Sequence, residues 1–118
     1  PQELSRVMLN LFNNAFYATH EKVNEMKVAG KEYKPKITIS SFQEDQHIII
    51  SVLDNGQGIP QSIKEKIFNP FFTTKPTGKG TGLGLSMSYD IIVKGHSGKI
   101  RVESTEGEFT EFIIELPV

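Results

Sequence analysis

Three groups of residues in this 118-residue chain have types and spacings suited to chemistry. The densest is Gly78-Lys79-Gly80-Thr81-Gly82-Leu83-Gly84-Leu85-Ser86. A glycine-rich turn running into a helix can aim backbone N–H groups at phosphate oxygens, helped by the partial positive charge at the helix start. Side chains would block that approach, so glycine is needed. Two common phosphate loops do not fit. Gly78-Lys79 is followed by Gly80 rather than Ser or Thr, and no glycine stands five residues before Gly78, which excludes a Walker A loop. The dinucleotide pattern fails at Leu83, where a third glycine should stand. Taken alone, the run is compatible with an anion site or a hinge.

The second group, Asp54-Asn55-Gly56-Gln57-Gly58-Ile59-Pro60, follows an apolar run. An Asp at the end of a buried strand is costly unless hydrogen-bonded. It could accept a hydrogen bond from an exocyclic amine such as that of adenine, or it could simply cap a turn. The third group is Asn10, Asn13 and Asn14. Asn10 and Asn14 are one helical turn apart and can face one ligand together. An amide oxygen can bind Mg²⁺ when phosphates complete the shell. Asn is a poor helix former, so three within five positions ask for a reason.

The elements that must position these residues follow from periodicity. Leu4, Val7, Met8, Leu11, Phe12 and Ala15 recur at helical spacing, which predicts an amphipathic helix from about Gln2 into Glu21–Val28, stopped by Gly30. Lys36–Phe42 and His47–Asp54 read as strands joined by a polar turn. A long stretch rich in Gly and Pro follows, broken by a short helix around Ser62–Phe68. A second long helix is expected from Gly84 to Gly95, then strands Lys99–Ser104 and Thr110–Leu116 around a Glu106-Gly107 turn. Hairpin pairs with helices elsewhere predict a two-layer α/β sandwich.

Composition narrows the function classes. With 13 Lys and Arg against 14 Asp and Glu, no nucleic-acid partner is expected. Without Cys there is no disulfide, no Cys-ligated zinc and no thiol nucleophile. No run of about 18 apolar residues predicts membrane insertion. The length suits a single domain, and the opening at Pro1 suggests a soluble piece of a longer chain.

The order and combination of these motifs resemble the nucleotide-binding domain of sensor histidine kinases, in the wider group that includes gyrase, the Hsp90 chaperones and MutL. Asn10-Leu11-Phe12-Asn13-Asn14-Ala15 matches the N box, and Asp54 to Pro60 matches the G1 box. Ile67-Phe68-Asn69-Pro70-Phe71-Phe72-Thr73-Thr74-Lys75 matches the F box, and Gly80 to Ser86 matches the G2 box. The resemblance covers essentially the whole chain, residues 1–118. It implies the Bergerat fold: a mixed, mainly antiparallel sheet with helices on one face.

By this likeness, Asp54 receives the adenine amino group of ATP, within a pocket that includes Gly56, Gly58, Ile59 and Thr110. Asn14 coordinates Mg²⁺, with Asn10 beside the metal and phosphates. Gly80, Thr81, Gly82, Leu83, Gly84 and Leu85 supply the phosphate loop, and Lys75 adds a cation. Residues from about 62 to 81 form the ATP lid, with Phe71 and Phe72 as its apolar anchor. Hydrolysing members of the group carry a Glu at the position of Asn10 as general base, whereas an amide cannot take the proton. Asn10 therefore favours phosphotransfer to a histidine over hydrolysis.

The implied partners are a dimerisation and histidine-phosphotransfer domain of the same parent, itself a homodimer, and a response-regulator receiver domain, in the cytoplasm. His20, His47 and His96 fall inside the nucleotide domain, so the phospho-acceptor is expected elsewhere. Two positions depart from the family pattern: Tyr17 replaces a basic residue, and Phe109 replaces a Gly before Thr110. Tyr17 together with Thr73-Thr74-Lys75 resembles the nitrogen-regulation type of sensor kinase. Two other roles are compatible with the same boxes: an anti-sigma-type serine kinase, and an ATP-sensing module without transfer.

Overall fold

In a computed structural model of the chain, residues 2–68 and 84–117 are described. The element order is helix α1 (Gln2–Ala29), strands β1 (Ile37–Glu44) and β2 (His47–Asp54), a short helix α2 (Gln61–Lys64), helix α3 (Gly84–Tyr89), a π-helical continuation (Asp90–Gly95), and strands β3 (Lys99–Thr105) and β4 (Phe109–Pro117). The sheet order is β1-β2-β4-β3. All three pairings among the described residues are antiparallel, so the parallel component implied by a mixed sheet is not found among them.

Helix α1 forms because its apolar residues recur every three to four positions, and packing that stripe against the sheet supplies most of its stability. Val7, Leu11 and Ala15 are buried along one stripe, with Leu4, Met8 and Phe12 packed beside them. The stripe lies on the sheet face that carries Val52, Phe112, Ile114 and Ile100. Ile92 and Ile67 complete the core. The other face of β4 buries Ile113 with no helix in its core cluster, beside Ser51, whose hydroxyl donates to Glu111 Oε2 at 2.6 Å.

Two helices and one strand differ from expectation. The short helix spans only Gln61–Lys64, begins after Pro60 and ends in turns, while Ile67 is drawn into the core and Phe68 packs against the rings of Tyr89 and Phe112. Tertiary packing rather than propensity therefore shapes residues 65–68, the first part of the expected lid. The helix after Gly84 changes from α to π at Asp90, ahead of the consecutive β-branched residues Ile91, Ile92 and Val93. Its end is fixed by the Gly98 N–H, which donates to the Ile92 carbonyl at 2.8 Å. Finally, Ile39 and Phe42, on opposite faces of β1, are both exposed, because β1 is an edge strand.

Candidate functional site

Where β2 ends, the helix-facing side of the sheet turns from apolar to polar. Val52 pairs with Phe112 and Phe112 with Val102; two residues along, Asp54 pairs with Thr110 and Thr110 with Ser104. Paired residues share a face, so Asp54, Thr110 and Ser104 form one row across three strands. Asp54 and Thr110 are only 3% and 4% exposed. Ser104 organises the row. Its hydroxyl donates to the Phe109 carbonyl at 2.7 Å and accepts from the Ile59 N–H at 2.7 Å. With that proton committed, the Thr110 hydroxyl is the donor in its 3.0 Å contact with Ser104. Sequence reasoning missed Ser104, because a polar residue near a strand end looks like any solvated serine.

The loop after Asp54 is pressed against α1 and against the β3–β4 turn. A Cβ at Gly56 would stand 2.7 Å from Ala18 of α1. Gly58 adopts a φ of 74°, and a Cβ there would run into the Thr105 carbonyl. Only glycine fits both positions. Ala18 lies one helical turn beyond Asn14 and two beyond Asn10. The close approach at Gly56 thus brings the end of β2 to the part of α1 that carries the expected metal residue.

Asn14 is half-buried and makes no side-chain hydrogen bond among the described residues, leaving its amide for a ligand. Asn10 differs: its Nδ2 donates to the Ser88 hydroxyl at 3.3 Å, tying α1 to α3, and Ser88 is fully buried. Tyr17, the departure from a basic residue, turns its hydroxyl to Glu21 Oε1 at 3.4 Å. Burial raises the Tyr17 pKa, and the charge and hydrogen bond of Glu21 raise it further, so this phenol stays neutral.

The electrostatics centre on Asp54. Burial pushes its pKa up to about 6, opposed by the Gly56 N–H, which donates to Oδ1 at 2.8 Å, and by the charge of Lys22. The carboxylate is still the majority form at neutral pH, but it is poorly solvated. A donor brought by a ligand would therefore be favoured there. Lys22 itself is buried, donating to the carbonyls of Gly107 at 2.8 Å and Gly56 at 3.3 Å, with Nζ 5.1 Å from the Tyr33 ring centre. The Tyr33 hydroxyl lies 2.8 Å from both the carbonyl and Oδ1 of Asn55. Burial raises the Tyr33 pKa, and so does the charge of Asp54. Asn55 in turn accepts from the Lys36 N–H at 2.8 Å and donates to the Lys34 carbonyl at 2.9 Å. Neither Lys22 nor Tyr33 was marked by any motif.

Of the expected site residues, Asp54, Gly56, Gly58, Ile59 and Thr110 gather at this end of the sheet, and Gly84 and Leu85 open α3. The expected contacts of Phe72, Lys75, Gly80, Thr81, Gly82 and Leu83, and of Phe71 in the lid, lie outside the described residues. His20 is exposed beside Asn24, His47 faces Glu115 at 4.0 Å, and His96 follows the π-helical segment with its Nε2 buried and without a hydrogen-bond partner. No helix among the described residues is long and apolar enough to cross a membrane.

Comparison with known proteins places these features in a family. The chain is 50% identical over 82 residues to the sensor kinase CckA of Brucella abortus, covering 70% of this chain and 9% of that protein. It is 39% identical over 118 residues to sporulation kinase E of Bacillus subtilis, covering 100% of this chain and 14% of that one. It is also 40% identical over 116 residues to the signal transduction histidine-protein kinase AtoS of Escherichia coli, covering 98% and 17%. The chain thus spans a small fraction of the length of these relatives. Among solved structures, the nucleotide-free catalytic domain of the histidine kinase ThkA superposes with a TM-score of 0.77 at 40% identity, over 98% of this chain and 66% of that one. A mycobacterial sensor histidine kinase, MprB, gives 0.76 at 26% identity, over 98% and 70%. The model of the histidine kinase-, DNA gyrase B- and HSP90-like ATPases matches residues 1–118. With its antiparallel sheet, its buried Asp54 and its two glycine contacts, the chain belongs to that family of ATPases and has the fold of a histidine kinase catalytic domain.

Proposed function

We propose that this chain is the ATP-binding catalytic unit of a sensor histidine kinase. It holds ATP and passes the γ-phosphoryl group to a histidine on a dimerisation domain of the same parent, with ADP leaving. A response-regulator receiver domain in the cytoplasm is the next acceptor. The observation that carries this reading is the buried carboxyl of Asp54, set in a polar row with Thr110 and Ser104 and backed by α1 through Gly56. The exocyclic amine of adenine supplies a second donor to a carboxylate that has the Gly56 N–H on Oδ1. Lid residues from about 62 to 81 and the Gly80–Leu85 run would cover and hold the phosphates.

Mg²⁺ fits the residues present. The Asn14 amide is a neutral oxygen donor without a protein partner, and no group of three or more His, Asp or Glu suited to a metal occurs among the described residues. A cation here would take its remaining ligands from phosphates and water, as Mg²⁺ does. When bound, it would neutralise charge on the phosphates. Asn10 offers no base for activating water, and a histidine acceptor requires none. The nitrogen-regulation subtype rests on Tyr17 and the Thr73-Thr74-Lys75 sequence.

Calorimetry with a non-hydrolysable ATP analogue, with and without Mg²⁺, tests the reading. Binding that strengthens with Mg²⁺ is expected; folded protein that binds no nucleotide would overturn it.

A further inference from the structure

Lys22 has no part in any of the four boxes, yet it is 8% exposed, a burial that lysine seldom tolerates. Its ammonium has no carboxylate within ion-pair distance among the described residues. It is held instead by the carbonyl of Gly56 on the loop after β2, the carbonyl of Gly107 on the β3–β4 turn, and the face of Tyr33. The Gly107 N–H closes the same junction by donating to the Gln57 carbonyl at 2.6 Å. Gly56 is also the residue whose N–H binds Asp54. One cation thus bridges the two backbone segments that flank the base-recognition carboxyl.

We propose that Lys22 is a positioning residue for nucleotide recognition, clamping the loop after β2 to the β3–β4 turn and presenting Asp54 to the base as its carboxylate. The inference rests on the nucleotide reading above. It goes further by assigning base affinity to a residue about two helical turns along α1 from Asn14, outside the expected metal and phosphate contacts.

The groups around Asp54 can be named from each packed element. Lys22 reaches it from α1, Tyr33 from the segment before β1, the Gly56 N–H from its own loop, and Thr110 from β4. Glu25 is turned outward to Gln57, and Glu106 and Glu108 are exposed on the turn. Lys22 is therefore the one cation among the described residues that acts on this carboxyl. Burial leaves the carboxylate in want of such a neighbour.

The test uses the 118-residue chain with Lys22→Met, Lys22→Gln and Lys22→Arg. Lys22→Gln keeps a donor for the carbonyls without the charge, and it serves if Lys22→Met does not fold. Two titrations are read: the Asp54 carboxyl carbon by NMR in ligand-free protein, and ADP affinity by calorimetry from pH 5 to 8.5. In Lys22→Met and Lys22→Gln both midpoints are expected to move to higher pH by about one unit, the usual size for losing a nearby opposite charge. Lys22→Arg is expected to restore them. An Asp54 titration unchanged in the uncharged variants, or ADP affinity weakened equally at every pH, would overturn the proposal. If the native chain binds no ADP, the nucleotide reading fails instead, and the carboxyl titration alone still decides the role of Lys22.

Discussion

Replacing Asp54 by Asn should make the ligand-free chain more stable at neutral pH while weakening its hold on adenine. The Asp54 pKa rises from an ordinary 3.8 to about 6 on folding. An acid whose folded pKa lies above its unfolded value binds its proton more tightly when folded. Stability from this group is therefore fully present below pH 3.8, falls as pH rises through about 6, and is flat above. The difference of about two units corresponds to ~3 kcal/mol. Asn keeps an oxygen for the Gly56 N–H but carries no charge to desolvate. It also deprives Lys22 of an opposite charge, so the net gain should be about 1–3 kcal/mol at pH 7.5. For a domain of this size that is a rise of roughly 5 °C or more in Tm. Urea and thermal unfolding of both chains from pH 4 to 8 read it directly. The curves should converge near pH 4, where Asp54 is protonated, and separate as pH rises. A constant offset at all pH values, or no offset at pH 7.5, would refute the assignment of a desolvated carboxylate.

Three further outcomes are expected. Gly58→Ala forces a side chain into the Thr105 carbonyl at a φ of 74°, and should cost about 2 kcal/mol or more in urea unfolding. Ser104→Ala leaves the Ile59 N–H without its acceptor. A loss of about 1–3 kcal/mol is expected, with weaker nucleotide binding by calorimetry. Asn14→Ala removes no protein hydrogen bond, so its Tm should match the native chain, while the gain in nucleotide affinity on adding Mg²⁺ should disappear; equal Mg²⁺ dependence in both chains would refute the metal role.

What could be read in the sequence was what repeats locally. The stripe through Val7, Leu11 and Ala15 and the alternation in β2 follow from single-element periodicity, and both strand pairs are joined by short turns. That β2 and β4 are neighbours was not legible, because nothing local says which hairpin strands meet. Asp54 and the glycines after it stood out because a carboxylate closing an apolar strand breaks the pattern. Lys22 did not, since a lysine three residues beyond Thr19 looks like any solvated helix position until Gly56 and Gly107 are folded over it. Ser104 and Tyr33 were hidden for the same reason: their partners lie far away in the chain.

The two hairpin turns lie at opposite ends of the sheet, and this gives them unequal freedom. The β1–β2 turn, Asp45-Gln46, is exposed and pairs Glu44 with His47 at the end away from Asp54. The β3–β4 turn meets the site through both backbone groups of Gly107, its N–H on Gln57 and its carbonyl on Lys22. A fluorophore or a short insertion should be carried silently at Asp45-Gln46, making that turn the natural place for a reporter. The same graft at Glu106–Glu108 would pull directly on Gln57 and Lys22, beside the carboxyl proposed to bind the base.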